Sequence, residues 1–155
     1  MTASRLVGRL MNIGASIERT TNRLLFPHDL NHQQFSILFE IFRAGKVQQK
    51  DVINRLLLER AHVSKVVKKL QAMGLVEAIP HPDDRRSFWL CVSPKGRALV
   101  RTCQSLFDVQ KREWFRGFDT EELTHILDAV SALQRALTGN DAATHHDDEK
   151  GTDPP

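Results

Sequence analysis

Between Arg60 and Val76 the chain carries Arg60, Lys65, Lys68 and Lys69 and neither Asp nor Glu. Cations spaced this way suit a polyanion, because each Lys or Arg that meets a phosphate releases condensed counterions and gains salt-dependent affinity. Among them stand Ala61, His62 and Ser64. A methyl, an imidazole and a hydroxyl are short enough to let a helix seat against base edges. With Val63 as origin and a turn of about 100° per residue, Val66, Val67 and Leu70 share one sector while Ala61, Lys65 and Lys68 take the opposite one. A solvated basic face is the plainer alternative, but solvation does not require that acids be excluded from the whole stretch.

The run Asp83-Asp84-Arg85-Arg86 is a second cluster of the same chemistry. Arginine at a hairpin tip beside a groove-reading helix reaches the narrow minor groove, where the potential is most negative. Asp84 is expected to orient Arg86 by pairing with it. Gln48 and Gln49 offer amide donors for backbone phosphates. Catalytic patterns are missing: there is no Gly-rich phosphate loop, zincin spacing or nucleophile elbow. No enzyme, cofactor or metal site is therefore expected. His28 and His32 straddle a loop and a helix cap and His145 and His146 lie in the tail, so neither pair supports a metal site, and Cys91 and Cys103 are too few for a disulfide framework.

These clusters need elements to hold them. Leu6, Leu10, Ile13, Ile17 and Leu24 form a helical stripe ended by Phe26-Pro27. Asn31 caps a second helix with Phe35, Leu38, Phe39 and Phe42 inward, and a short third helix starts near Gln49. The fourth, from about Arg60 to Met73, ends at a C-cap Gly74. Leu75–Ile79 and Ser87–Val92 read as strands joined by the polar stretch PHPDDRR. Ser93-Pro94 opens a fifth helix. Asp119 with Glu122 opens a sixth, carrying Leu123, Ile126, Leu127, Val130, Leu133 and Leu137. The pattern stops at Gly139.

This order predicts a mainly α fold with a small β-hairpin wing, a winged helix-turn-helix. The chain is expected to be one domain over residues 1–140. Its DNA-reading lobe would span 30–93, and helices at 4–26 and 94–139 would bury their near-heptad stripes against a second copy. Residues 141–155 carry a net −4 and are expected to be disordered, which leaves +7 on the remainder of a chain whose total is +3. No apolar run approaches the roughly 18–20 residues needed to span a bilayer. Arg and Glu interrupt the N-terminus where a secretory signal would be apolar. A cytoplasmic address is the expectation.

The leucine-ended third helix, the basic fourth helix, the phrase LQAMGLVEAIPHPDDRR and then VSPKG together resemble the MarR family of bacterial regulators, over about residues 5 to 138. The resemblance implies a homodimer, joined through the first, fifth and sixth helices, that binds a pseudo-palindromic operator in double-stranded DNA and usually represses. It places the family's Asp-x-Arg wing motif on Asp84 and Arg86 and its recognition positions on residues 60–69. Leu57 stands where the family often has Gly, and Glu59 and Ala61 stand where a capping residue is common.

Many members respond to aromatic anions held between the dimerisation helices and the reading lobe. Here that implies a small-molecule effector cleft at Arg19, His32, Phe35 and Phe39, against the alternative that the two Phe are core and Arg19 is solvated. Peroxide-sensing members carry a reactive cysteine in the first helix, and none occurs here. A ligand-independent or thiol-responsive regulator, and a winged-helix protein-interaction module, are the alternatives.

Overall fold

The structure is a computed structural model that describes residues 1–144. The disorder expected for 145–155 lies outside the described residues. The chain divides into two compact units, 1–111 and the part from Arg112 onward. Its elements are α1 (Thr2–Leu25), α2 (His32–Ala44), α3 (Gln49–Leu56), α4 (Arg60–Ala72), β1 (Val76–His81), β2 (Asp84–Val92), α5 (Pro94–Trp114) and α6 (Thr120–Thr144), with a short 3-10 turn at Phe26–His28. Among the described residues no helix is long and apolar enough to cross a membrane.

In the first unit α2 lies at the centre, packed on α1, α3, α4 and β2. Its start is a full capping box: the Asn31 side chain accepts from the Gln34 N–H at 2.9 Å, and Gln34 Oε1 accepts from the Asn31 N–H at 3.1 Å. The His32 N–H donates to Asn22 Oδ1 at 2.6 Å, which clasps α1 to α2. Around α2 a core of Leu25, Ile37, Leu38, Ile41, Val52, Val63, Leu70 and Val100 is sealed from solvent. Each such side chain contributes roughly 1.5–3 kcal/mol by leaving water.

The far end of α4 is held by a bracket. Gly74 takes a φ of +71°, and the N–H groups of Gly74 and Leu75 bond back to Gln71 and Leu70, both at 2.9 Å. This is the paired closure that a left-handed glycine allows at a helix end. Ser93 locks the turn to α5, its hydroxyl donating to Gly74 O at 2.6 Å and accepting from the Gly96 N–H at 2.9 Å. A Cβ at Gly96 would come within 2.2 Å of Leu75 O, so the two segments meet at a distance only glycine allows. The run Ser93-Pro94-Lys95-Gly96 is thus a packing device, and Lys95 Nζ adds a bond to Met73 O at 2.8 Å.

The wing differs from expectation. Its strands run to His81 and from Asp84, so the long polar loop expected over 80–86 shrinks to the turn Pro82-Asp83. The ladder pairs Val76 with Val92 through Pro80 with Phe88, then jumps to His81 with Asp84, leaving residues 85–87 as an irregularity in β2. Pro80 has no N–H to continue the ladder. Side chains complete the turn instead: the Asp83 N–H donates to His81 Nδ1 at 3.2 Å, and the Arg86 N–H to Asp84 Oδ1 at 2.9 Å. An isolated bridge between Val47 and Leu90 ties the segment before α3 to β2.

In the second unit α6 opens with the expected Asp119–Glu122 capping box, its bonds at 2.8 and 2.9 Å. The helix does not stop at Gly139 but continues to Thr144, so the segment expected to be disordered begins helical over 141–144. One exposed glycine costs a helix only about 1 kcal/mol, and Ala142 and Ala143 are strong helix formers.

The turn between α3 and α4 keeps its form without glycine: Leu57 sits at φ 52°, ψ 42°, with its side chain 73% exposed. A left-handed conformation costs a non-glycine residue about 1–2 kcal/mol, partly offset in a comparison with glycine by the latter's looser unfolded chain. Leu57→Gly should therefore raise stability by about 0.5–1 kcal/mol in urea unfolding; a loss would show that packing of the Leu57 side chain outweighs the backbone strain.

Glu40 is a buried acid in an aromatic-rich helix. Arg43 reaches it at 3.0 Å and Arg55, from α3, at 2.9 Å. Burial raises its pKa, but the hydrogen bonds and charges of the two guanidinium groups outweigh this and hold the carboxyl below the usual glutamate range. A depressed acid stabilises the fold above its unfolded pKa, and that contribution is lost as pH falls through the folded value. The stability gap between the native chain and Glu40→Gln should accordingly be widest near neutral pH and close on acidification; a gap that is constant with pH would contradict this.

Candidate nucleic-acid interface

The face of α4 opposite the core leaves Arg60, Ala61, Lys65 and Lys68 exposed, while Val63, Val66, Val67 and Leu70 are at most 4% exposed. The helix therefore cannot turn its basic side inward. Its N-cap, Glu59, makes no side-chain hydrogen bond, in keeping with the lack of a capping residue type there. The helix is thus pinned at Gly74 and Ser93 and unclasped where its short side chains lie.

Three sequence-derived candidates occupy different surroundings from those expected. His62 is half-buried, and its Nε2 is sealed without a hydrogen-bond partner, so its nitrogen reaches a base only if the ring turns outward. Lys69 Nζ donates to Asp29 O at 2.9 Å and Gln34 Oε1 at 3.0 Å, which makes it a tie between α4 and the start of α2 rather than a cation open to phosphates. Asp84 holds the backbone N–H of Arg86, and no ion pair joins the two side chains. A carboxylate two residues before an amide closes this local ring more readily than it reaches a long guanidinium. Arg86 is exposed, and Arg85 lies beside it in β2.

Gln49, at the start of α3, comes together with Ser64 and Lys68 in a recess of about 340 Å³ between α3, α4 and the hairpin, which Gln71, Ala78 and Phe88 also line. Gln48 is the N-cap of α3 and makes no capping bond with its side chain. Sequence reasoning did not select Gln71 or Phe88. The one signal was that Phe88 shares the alternating face of Leu90 and Val92.

A second recess, of about 460 Å³, lies between α2 and α5. Phe35 and Phe39 line it, but Phe35 is buried in the core with Phe39 packed against that core, and Arg19 is exposed, as the alternative reading had it; Arg19 and His32 are not among its lining residues. Its cations are Arg101 and Lys111, the latter 2.6 Å from Asp108. Phe107 meets Phe35 edge to face at 5.2 Å, and Phe39 stacks on Phe35 at 6.0 Å. The missed residues had a helical signature: Arg101, Gln104, Asp108 and Lys111 step by three and four beside the apolar Val100, Cys103 and Phe107.

The thiols have the surroundings of packing residues. Cys103 is fully buried, and burial pushes its pKa up, away from the reactive thiolate. Cys91 is half-buried on β2, its Sγ 3.8 Å from Glu77 O. Among the described residues no three His, Cys, Asp or Glu side chains gather as a metal site.

Residues 28–87, which hold the helix-turn-helix and most of the wing, match the model of the MarR family. The transcriptional regulator PecS of Dickeya dadantii is 22% identical over 138 residues, 87% of this chain and 83% of its own length. Among solved structures, an Escherichia coli MarR mutant complexed with operator DNA superposes with a TM-score of 0.74 at 22% identity, over 82% of this chain and 92% of that one. FabT of Streptococcus pneumoniae in complex with DNA gives 0.78 at 19% identity, over 88% and 98%. With its helix-turn-helix, paired-strand wing and flanking long helices, the chain shares the fold of these structures, and its segment over residues 28–87 is similar to the MarR family of transcriptional regulators.

Proposed function

We propose that the protein is a homodimeric repressor that reads a pseudo-palindromic operator, with α4 in the major groove and Arg85 and Arg86 at the flanking minor groove. The observation that carries this reading is the acid-free, exposed face of α4, whose opposite face is wholly buried. Arg60, Lys65 and Lys68 serve phosphates, while Ala61, Ser64 and an outward-turned His62 serve base edges. Gln48 and Gln49 stand at the N-terminus of α3, where backbone N–H groups also favour a phosphate.

In this reading residues 30–93 form the reading lobe, and helices 4–26 and 94–139 join two copies. Unpartnered apolar stripes support the second part. Helix α1 leaves Leu6, Ile13 and Ile17 at 41–55% exposure, and α6 leaves Ile126, Val130 and Leu137 at 44–63%. Symmetric pairing would set two reading helices about 34–36 Å apart, one turn of DNA. Retardation of DNA from upstream of its own gene, with lower reporter output when the chain is present, tests the reading; activation would overturn the repressor part alone.

The α2–α5 recess is the proposed effector site, for an aromatic carboxylate. Phe35, Phe39 and Phe107 would take the ring and Arg101 the carboxylate. A ligand wedged between a lobe helix and a dimerisation helix favours one spacing of the reading helices over another. Benzoates should release the operator, and Arg101→Ala should raise the concentration needed by about tenfold, the loss expected when a charge-assisted bond is removed. Equal release by neutral benzamides would contradict the role given to Arg101.

Operator affinity should fall steeply with salt, and Lys65→Ala and Arg86→Ala should each shallow the slope of log K against log salt by about 1. Lys69→Ala should instead lower the unfolding midpoint and leave the slope unchanged, because its ammonium is engaged within the fold. An unchanged slope in both Lys65→Ala and Arg86→Ala would refute the phosphate contacts.

A further inference from the structure

The recess between α3, α4 and the hairpin combines two chemistries. The helix-facing side of the hairpin pairs Val76 with Val92, Ala78 with Leu90 and Pro80 with Phe88. Its inner end is buried, with Val76 and Val92 at 3% and 4% exposure, and its outer end opens at Phe88, 50% exposed. That face is an apolar ramp rising out of the core. Around it stand Gln49, Ser64, Lys68 and Gln71, all of which can donate hydrogen bonds, and among the described residues no carboxylate lines the recess.

An apolar platform ringed by donors suits a ligand that alternates carbon faces with anionic oxygens, and the sugar-phosphate backbone is such a ligand. Topology points to the same occupant. If α4 lies in a major groove and the hairpin enters the adjacent minor groove, the strand dividing the two grooves must pass between helix and hairpin. We propose that this recess seats that strand. Phe88 and Ala78 pack against deoxyribose, and Gln71 and Lys68 donate to the phosphates on either side of it. Affinity then has a part that salt does not screen, because the sugar contact is apolar while the Lys68 contact is ionic.

This inference rests on the major-groove reading of α4, and the test separates the two. The full chain is titrated onto a labelled duplex of arbitrary sequence by fluorescence anisotropy over a salt series. Phe88→Ala should weaken binding about fivefold at every salt concentration without changing the slope, the loss expected when a half-exposed Phe no longer covers a partner. Phe88→Leu should keep most of the affinity. Gln71→Glu, on the exposed side of α4, should weaken binding by about tenfold by facing a phosphate with a carboxylate. It carries the test if Phe88→Ala fails to fold.

Native affinity in both Gln71→Glu and a folded Phe88→Ala, with Lys65→Ala and Arg86→Ala weakened, would overturn the seat and leave the groove reading intact. If none of the four changes affinity, both fall. A Phe88→Ala effect that alters the salt slope would also count against the apolar contact.

Discussion

Burial of one face of α4 is the constraint on which the rest of the molecule depends. Val63, Val66, Val67 and Leu70 leave solvent together, and at 3.6 residues per turn their burial fixes which side chains face outward. Lys65 and Lys68 are exposed because these four are not. The helix is anchored from one end. Gly74, Leu75, Ser93 and Gly96 interlock beyond its C-terminus, and Lys69 ties its flank to Asp29 and Gln34. The N-terminal turn, which offers Ala61 and His62, has no side-chain cap. The rigid end therefore faces the protein and the looser end faces the proposed partner.

Electrostatics divides the molecule along similar lines. Acids are kept from α4, and the buried acid nearest the helix-turn-helix, Glu40, is spanned by Arg43 and Arg55. That arrangement joins α2 to α3, the helix that brings Gln49 to the edge of the recess. At the wing, Asp84 closes a backbone ring instead of neutralising Arg86, so the guanidinium keeps its charge for whatever lies beyond the hairpin. The wing and helix then flank an apolar ramp, and among the described residues no carboxylate lines the recess between them.

Periodicity and local chemistry made most of the elements legible from the residues alone. The helices at Asn31, Pro94 and Asp119 begin where caps and prolines say they should, and Gly74 ends α4 as a C-cap glycine does. Those at Gln49 and Arg60 were legible only from their apolar period, because neither has a side-chain cap. The wing turn was harder to read, because Pro and Asp residues signal a loop without saying that side-chain bonds from His81 and Asp84 will shorten it to two residues. Lys69 and His62 looked like their neighbours on a helical wheel. Only the surrounding elements show that one is a tie and the other is partly sealed. Arg101 and Lys111 were overlooked because a polar stripe on a long helix is usually solvated, and its meaning depends on Phe35 and Phe39 from a distant segment.

The central claim is that α4 occupies a major groove, and dimethyl sulphate protection reports this directly, because it reads guanine N7 in the major groove and adenine N3 in the minor groove. On DNA from upstream of the chain's own gene, guanine N7 should be protected in two patches about one helical turn apart, with adenine N3 protected on the outer flanks. If guanine N7 stays fully reactive at protein concentrations that retard the same DNA, α4 is not in the groove and the account fails.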